Sequence, residues 1–544
     1  MHYVKENDDG DRIDGGAVMS GGKMVTSTKL LHPTTRDGET EVSFTFDASA
    51  LQGGNVVVFE TLYERTDTTI TTLEKTESDK PVTTHSDPES EEQSVHYPEI
   101  GTKLRDGESK KQISLAREKM VLIDTVSYEN LDTKKRWKLE AVLMDKATGE
   151  AALDDAGQPI KATKEFKPKT KDGTVEVKFT FNGKNCAGKT LVAFEKLYLA
   201  GTLYAEHEDL KDAEQTVTVP KILTSAYEAK TGSHTAGDGS EVTVKDLVKY
   251  SNLTPGNYTV KGTLMSNKTG KVIQSGGKNV TAEASFTAKK PDGSVLLTFT
   301  FDASALGGDT VVAFEELYLE NVLVAEHRDL NDAEQSVSIV KIDTNAHFKG
   351  TDSRKAAASA KMTVVDRVTL EGLTVGEQYT LKGRLMDQET GKELVVNGKT
   401  VTAEKAFTAK ASGGYVDIEF SFDGSKLSGK KAVVFEKLFY AGVELTKHED
   451  LKAKNQIVTI AKPEEIQPTV LPTATPAAGN PAATPSTNPS ATTETTKSTE
   501  KPATQNVATA PVKTGDTAAP FLWTALVLLS AMLVVAAWRR KYRK

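Results

Sequence analysis

Four stretches of this chain carry the same three polar residues in the same order: a Glu inside an apolar run, then a His, then a Gln eight residues after the His. They are Glu60, His85 and Gln93; Glu195, His207 and Gln215; Glu315, His327 and Gln335; and Glu436, His448 and Gln456. The last three sets gain a Thr and an Asp set 22 residues apart: Thr102 and Asp124, Thr224 and Asp246, Thr344 and Asp366. Together these side chains supply what one acyl transfer needs. A His beside a Thr hydroxyl can take its proton, freeing the oxygen to attack a carboxamide carbon. Two carboxyls held close together cannot both ionise easily, so one keeps a proton and can hydrogen-bond to the carboxamide oxygen. Ammonia would then leave, and a Thr–Gln ester would remain.

The strands that must position these groups are legible from period-2 alternation. In Glu241 to Tyr250, Asp246 shares parity with Val242, Val244, Val248 and Tyr250, while Thr243, Lys245 and Lys249 take the other side. Asp124 falls with Met120, Leu122, Val126 and Tyr128, and Asp366 with Met362, Val364, Val368 and Leu370. Gln215 lines up with Val217 and Val219, Gln335 with Val337 and Ile339, and Gln456 with Val458 and Ile460. Thr102, Thr224 and Thr344 fall with Ile100, Ile222 and Ile342, and Glu195 with Leu191, Ala193 and Leu197. Polar groups on core-facing parity are costly unless they meet one another.

The Phe-Glu segments recur after 135, 120 and 121 residues, and the long first interval reflects 25 residues between Glu60 and His85 where the others have 12. A period near 120 residues fits whole domains rather than a short-repeat solenoid. Alternating segments such as Val175 to Phe181 and Val42 to Phe46, separated by turns such as Thr254-Pro-Gly-Asn257, predict an all-β tandem array of immunoglobulin-like sandwiches. The expected divisions are 1–97, a partial repeat lacking its first part; 98–220, 221–340 and 341–462, complete repeats; 463–510, a linker; and 511–544, an anchor.

The recurring Val-x-Phe-Glu and His-x-Asp segments resemble the T-Q ester-bond domains of Gram-positive surface adhesins, over about Pro98 to Lys462 with a partial copy before it. The resemblance implies an intramolecular Thr–Gln ester between first and last strands. Carried over by position, Thr102 would bond Gln215 with Asp124, Glu195 and His207 assisting. Thr224 would bond Gln335 with Asp246, Glu315 and His327, and Thr344 would bond Gln456 with Asp366, Glu436 and His448. Repeat 1 keeps Glu60, His85 and Gln93 without a Thr or Asp, so it is expected to form no bond. The chemistry consumes its own Thr and Gln once, which argues against a turnover enzyme.

From Pro463 to Pro511 the composition turns to Pro, Thr, Ala and Ser, too poor in large apolar residues to offset ordering entropy. Extended at about 3.1 Å per residue, such a linker reaches roughly 150 Å. An apolar run from Ala518 to Trp538 and a basic end, Arg539 to Lys544, follow. At 1.5 Å per residue that run gives roughly 31 Å, enough for one transmembrane helix with the basic end inside. This order resembles the sorting signal of Gram-positive cell-wall proteins, with Thr514-Gly515 at the sortase site and Pro511-Val512 where Leu-Pro is usual. The resemblance implies sortase and peptidoglycan as partners, the plain alternative being a membrane anchor. Met1 to Gly16 is polar, and the chain is expected to be the C-terminal piece of a longer secreted protein whose N-terminal region binds a host surface ligand.

A formal net charge of −8 without basic clusters in the repeats argues against nucleic-acid binding. The single Cys186 excludes an intrachain disulfide, and no phosphate-binding loop or metal-ligand cluster is present, so no cofactor is expected. Two other readings compete: repeats that themselves bind a host ligand, and Lys–Asn isopeptide links as in pilins.

Overall fold

The computed structural model describes residues 1–66, 73, 76, 77 and 79–462. The linker, the Ala518–Trp538 run and the Thr514-Gly515 site lie outside the described residues. Among the described residues no helix is long and apolar enough to cross a membrane.

The described chain is built from strands with short 3-10 turns, and the third repeat represents the complete ones. Its longer strands are β1 (Lys221–Glu228), β2 (Val242–Ser251), β3 (Gly256–Ser266), β4 (Thr281–Ala288), β5 (Gly293–Phe301), β6 (Thr310–Leu319), β7 (Val322–His327) and β8 (Ser336–Ile339). One sheet has the order β1-β2-β5; the other runs β8-β6-β3-β4, with β7 also paired to β6 and the short segment Thr235–Ala236 parallel to β8 at its edge. The facing sides are apolar at every second residue and bury Val244, Val248, Tyr258, Val260, Leu297, Phe299, Leu317, Val337 and Ile339 between them. This is the two-layer sandwich that the alternation predicts.

One hairpin governs the site. β6 and β7 join through Glu320 and Asn321, both at positive φ (47° and 71°), as do Ala200 and Gly201 (52° and 87°) and Ala441 and Gly442 (48° and 81°) in the flanking repeats. Two left-handed residues make the tight hairpin turn that matches strand twist. Between Leu317 and Tyr318 the register then slips by one, with Val324 as the extra residue. Continued from Tyr318↔Leu323 without the slip, Glu315 would lie opposite Glu326. With it, Glu315 faces His327. A one-residue slip exchanges the two faces of a strand, and here it turns the His inward.

Repeat 1 departs from this plan. The alternating segment Val42 to Phe46 is not a paired strand, and the described residues among 1–97 include no strand equivalent to β2. Phe44 and Phe46 still pack on a small core of Met1, Val18, Val25, Leu51 and Val56. The strand equivalent to β6 is broken into Asn55–Val57 and Glu60–Glu64.

Candidate functional site

Each predicted set in repeats 2 to 4 converges between its two sheets. On the first sheet Thr224 lies opposite Val248 and Asp246 opposite Ala226, so the two are diagonal neighbours on one inward face. On the second sheet Glu315 is paired with His327, and Gln335 immediately precedes β8 with its carbonyl accepting from the Ala313 N–H at 3.1 Å. Repeats 2 and 4 reproduce the Glu–His pairing as Glu195↔His207 and Glu436↔His448. Asp124, Glu195 and Gln215, Asp246, Glu315 and Gln335, and Asp366, Glu436 and Gln456 are all 0% exposed, and Thr102, Thr224 and Thr344 are 8%, 7% and 3% exposed.

The polar atoms meet within hydrogen-bond distance. Gln335 Nε2 donates to Thr224 Oγ1 at 2.5 Å and to Glu315 Oε2 at 2.5 Å, and Thr224 Oγ1 is 3.4 Å from His327 Nδ1. In repeat 4, Gln456 Nε2 donates to Glu436 Oε2 at 2.5 Å and Thr344 Oγ1 is 3.4 Å from His448 Nδ1. In repeat 2, Gln215 Nε2 donates to Glu195 Oε2 at 2.8 Å, but Thr102 Oγ1 and His207 Nδ1 are both buried without a hydrogen-bond partner. The Thr–His contact expected from sequence is therefore made in repeats 3 and 4 and not in repeat 2.

The carboxyl pairs divide as two like charges in a dry site must. Burial pushes Asp124 and Asp246 up to about 6. Burial, reinforced by the neighbouring Asp charge, pushes Glu195 and Glu315 up to about 10. Asp366 follows the other Asp residues to about 6, and Glu436 is raised well above the ordinary range for the same two reasons. At neutral pH the Glu holds the proton of the pair.

One expected contact is different. The carboxamide turns its nitrogen, not its oxygen, toward the Glu in all three repeats. Gln215, Gln335 and Gln456 Oε1 are buried with no hydrogen-bond partner. The protonated acid therefore sits beside the group that would leave rather than beside the carbonyl oxygen. Asp212 and Asp332, which strand parity does not single out, also reach the site: their Oδ2 atoms lie 3.2 Å from His207 and His327 Nε2. The available signal was an Asp five residues after the His in two of the four repeats.

In repeat 1, Gln93 Nε2 contacts Glu60 Oε2 and His85 Nδ1 contacts Gln93 Oε1, with Glu60 and His85 paired across strands that carry the same one-residue slip without the two-residue turn. Glu60 and His85 are exposed and Gln93 is half-buried. The local trio thus assembles without a Thr or Asp above it. Cys186 is buried in the apolar core of repeat 2, and burial pushes its thiol up to about 11, which leaves it unreactive.

A family model described as the T-Q ester bond containing domain matches residues 14–97, 98–219, 220–339 and 340–460. No curated protein matches the chain. Among solved structures it is similar to a bacterial adhesin from Mobiluncus mulieris containing intramolecular disulfide, isopeptide and ester bond cross-links. The identity there is 14% and the TM-score 0.20, covering 46% of this chain and 87% of that one. It is also similar to the C-terminal domain of the Streptococcus agalactiae AgI/II polypeptide BspA, at 11% identity and a TM-score of 0.24, covering 45% of this chain and 100% of that one.

Proposed function

Because this chain belongs to the family of T-Q ester bond containing domains, matched over four consecutive segments, we propose that it is a stalk of a bacterial surface adhesin. In this reading each complete repeat ties its first and last strands together through an autocatalytic Thr–Gln ester. The observation that carries the reading is the buried meeting of Thr224, Gln335, Glu315 and Asp246 with His327, between strands at opposite ends of the repeat. His327 takes the Thr224 proton as the hydroxyl oxygen attacks the Gln335 carboxamide carbon. The protonated Glu315, lying against Nε2, gives its proton to the nitrogen as the C–N bond breaks. Ammonia departs, and the proton on His327 restores the carboxyl pair. Thr102–Gln215 and Thr344–Gln456 close in the same way, with Asp124, Glu195 and His207 and with Asp366, Glu436 and His448.

Closing a loop of about 112 residues is worth roughly 4–5 kcal/mol by the chain-entropy estimate used for disulfides. Under tension the link has a second effect, since a sandwich whose first and last strands are covalently joined cannot unravel from its ends. Each repeat reacts once, so the chain is not a turnover enzyme. The Pro463–Pro511 linker and the anchor would carry the stalk through a Gram-positive wall, with sortase cutting between Thr514 and Gly515 and joining Thr514 to peptidoglycan. A host ligand would be bound elsewhere in the full adhesin.

Intact mass of the purified chain tests the bond: a loss of one ammonia per complete repeat, three in all, is expected, and an unmodified mass removes the reading. Hydroxylamine applied after full denaturation should open the links, whereas isopeptides would resist. For anchoring, wall-released protein should end at Thr514; retention of Trp523 or Trp538 would mean a membrane anchor instead.

A further inference from the structure

Each complete repeat turns its His inward through one extra residue in the hairpin equivalent to β6–β7: Tyr204 in repeat 2, Val324 in repeat 3 and Leu445 in repeat 4. These three residues sit in unlike surroundings. Val324 is 0% and Leu445 7% exposed, each within an apolar core, whereas Tyr204 is 45% exposed beside an exposed Leu203. Burial of the extra residue tracks the Thr–His contact, which is made at 3.4 Å in repeats 3 and 4 and is not made in repeat 2. The far side of the ring does not separate them, because His207 and His327 both have an Asp oxygen 3.2 Å from Nε2. A bulged strand can move its extra residue along the ladder unless that residue is held, and each one-residue move exchanges the faces of the strand.

In repeats 3 and 4 the preceding repeat does the holding. Between its strands Glu99–Asp106 and Met120–Glu129, repeat 2 sends a loop toward repeat 3. Ile113 on that loop is buried in the apolar core of repeat 3, the core that holds Val324, and not in the core of its own repeat. Lys111 Nζ on the same loop lies 2.5 Å from Glu320 Oε2 at the hairpin turn. That exposed ion pair adds little energy, but it marks where the loop lies. The β1–β2 loop of repeat 3 treats repeat 4 alike. Thr235, wholly buried, has its hydroxyl 2.6 Å from that of Thr374, and the Ala236 carbonyl accepts from the Val340 N–H at 2.9 Å. The next residue, Gly237, faces the extra residue itself: a Cβ there would overlap the Leu445 carbonyl. Only glycine lets two backbones approach so closely.

We propose that the loop between the first two strands of a repeat is a seat that fixes the hairpin bulge of the next repeat, so that repeats 3 and 4 close their esters with the help of the repeat before them. Ile113 and Gly237 are then positioning residues for sites that lie in the neighbouring repeat, acting through the hairpins that carry His327 and His448. Repeat 2, whose bulge is uncovered, closes slowest in this chain. The inference rests on the ester reading.

The test is a time course of bond formation in the full chain made by cell-free synthesis. Samples are denatured, digested and analysed for the cross-linked Thr–Gln peptide of each repeat. In the wild type, repeat 2 should close last. Gly237→Ala should slow repeat 4 on the order of tenfold, as small misplacements of a reacting group do, and leave repeats 2 and 3 at their wild-type rates. Ile113→Ala should slow repeat 3 and leave repeat 2 unchanged, and Ile113→Val, which keeps most of the apolar contact, should recover most of the rate. Amide hydrogen exchange separates a misplaced hairpin from an unfolded repeat. With the link blocked by Gln456→Ala, adding Gly237→Ala should lower protection over Val443–His448 and keep it over Met362–Glu371. A Gly237→Ala chain that closes repeat 4 at the wild-type rate, one that loses protection throughout repeat 4, or a repeat 2 as fast as repeats 3 and 4 would overturn the seat and leave the ester reading intact. No cross-linked peptide from any repeat of the wild type would overturn both.

Discussion

Repeats 1 and 3 contain the same Glu–His strand pairing and the same Gln, yet they place them in different media. In repeat 1, Glu60 and His85 stand in solvent. In repeat 3, Glu315 and Gln335 are wholly enclosed, and Glu315 is pushed up to about 10. The local contacts are alike: Gln to Glu in both, across the same register slip. The difference is the first sheet. β1 and β2 bring Thr224 and Asp246 and also exclude water from the acid. The motif therefore assembles by itself, while its reactivity is a property of the lid laid over it. A carboxyl becomes a proton donor near neutral pH through burial and a second carboxyl, and repeat 1 has neither.

The comparison is broken most directly by neutralising each acid. Glu315→Gln keeps the shape and removes the proton donor, so the cross-linked peptide of repeat 3 should vanish while those of repeats 2 and 4 persist. Glu60→Gln should leave the mass loss of the whole chain unchanged. A repeat 3 that closes normally without Glu315 would end the argument that the enclosed acid matters.

Next in size is the link itself. Thr224→Ala or Gln335→Ala should lower the melting transition of repeat 3 by roughly 10–20 °C, corresponding to about 4–5 kcal/mol of lost loop constraint. Gln93→Ala should leave repeat 1 unshifted by comparison. Calorimetry of the full chain measures both.

The enclosed carboxyls also predict a pH dependence of definite sign. Asp246 and Glu315 are raised from 3.8 to about 6 and from 4.5 to about 10, so the folded repeat holds protons that the unfolded chain releases. Their contribution is fully present below the unfolded values. It is lost as pH rises, through about 6 for the Asp and about 10 for the Glu. In the unlinked Thr224→Ala chain, the melting temperature of repeat 3 should fall between pH 4 and pH 9, at roughly the rate two titrating groups allow. Adding Asp246→Asn and Glu315→Gln should flatten that slope.

The smallest effect concerns the floor of the site. Gly262 pairs with Glu315, and a Cβ there would come within 2.5 Å of Phe299 Cζ and 2.6 Å of Leu297 Cδ1. Repeat 2 has Ala141 opposite Glu195 but Val177 where repeat 3 has Leu297, so the two positions share one volume. Gly262→Ala should cost about 1–3 kcal/mol by overpacking. Adding Leu297→Val should return most of it, as read by denaturant midpoints.

Much of the site was readable before any strand was paired. Period-2 parity placed Asp246, Glu195, Gln335 and Thr224 inward because successive side chains alternate faces whatever the partner strand. It also predicted a strand over Val42 to Phe46, and that segment forms no ladder because alternation cannot supply a neighbour to pair with. The inward turn of His327 was not readable, since it depends on Val324 being the extra residue of a bulge, and nothing in Val-Leu-Val-Ala-Glu-His marks which residue is extra. The side of the carboxamide that meets the Glu was equally hidden. Parity aims a side chain at a face but does not set its terminal torsion.

By itself, then, the sequence determined the array of repeats, their strand faces and the five residue types that share each interior, because these follow from local alternation and recurrence. Only the tertiary structure decided which of those interiors is dry. Desolvation depends on two sheets closing on each other, and in repeat 1 the strands that would close are absent from the described fold. It also decided that the acid faces the leaving nitrogen, and that Asp332 stands behind His327 while Ala453 leaves His448 without such a partner. Those relations depend on how the loop after each His folds back onto the strands, and they exist only once the sandwich has packed.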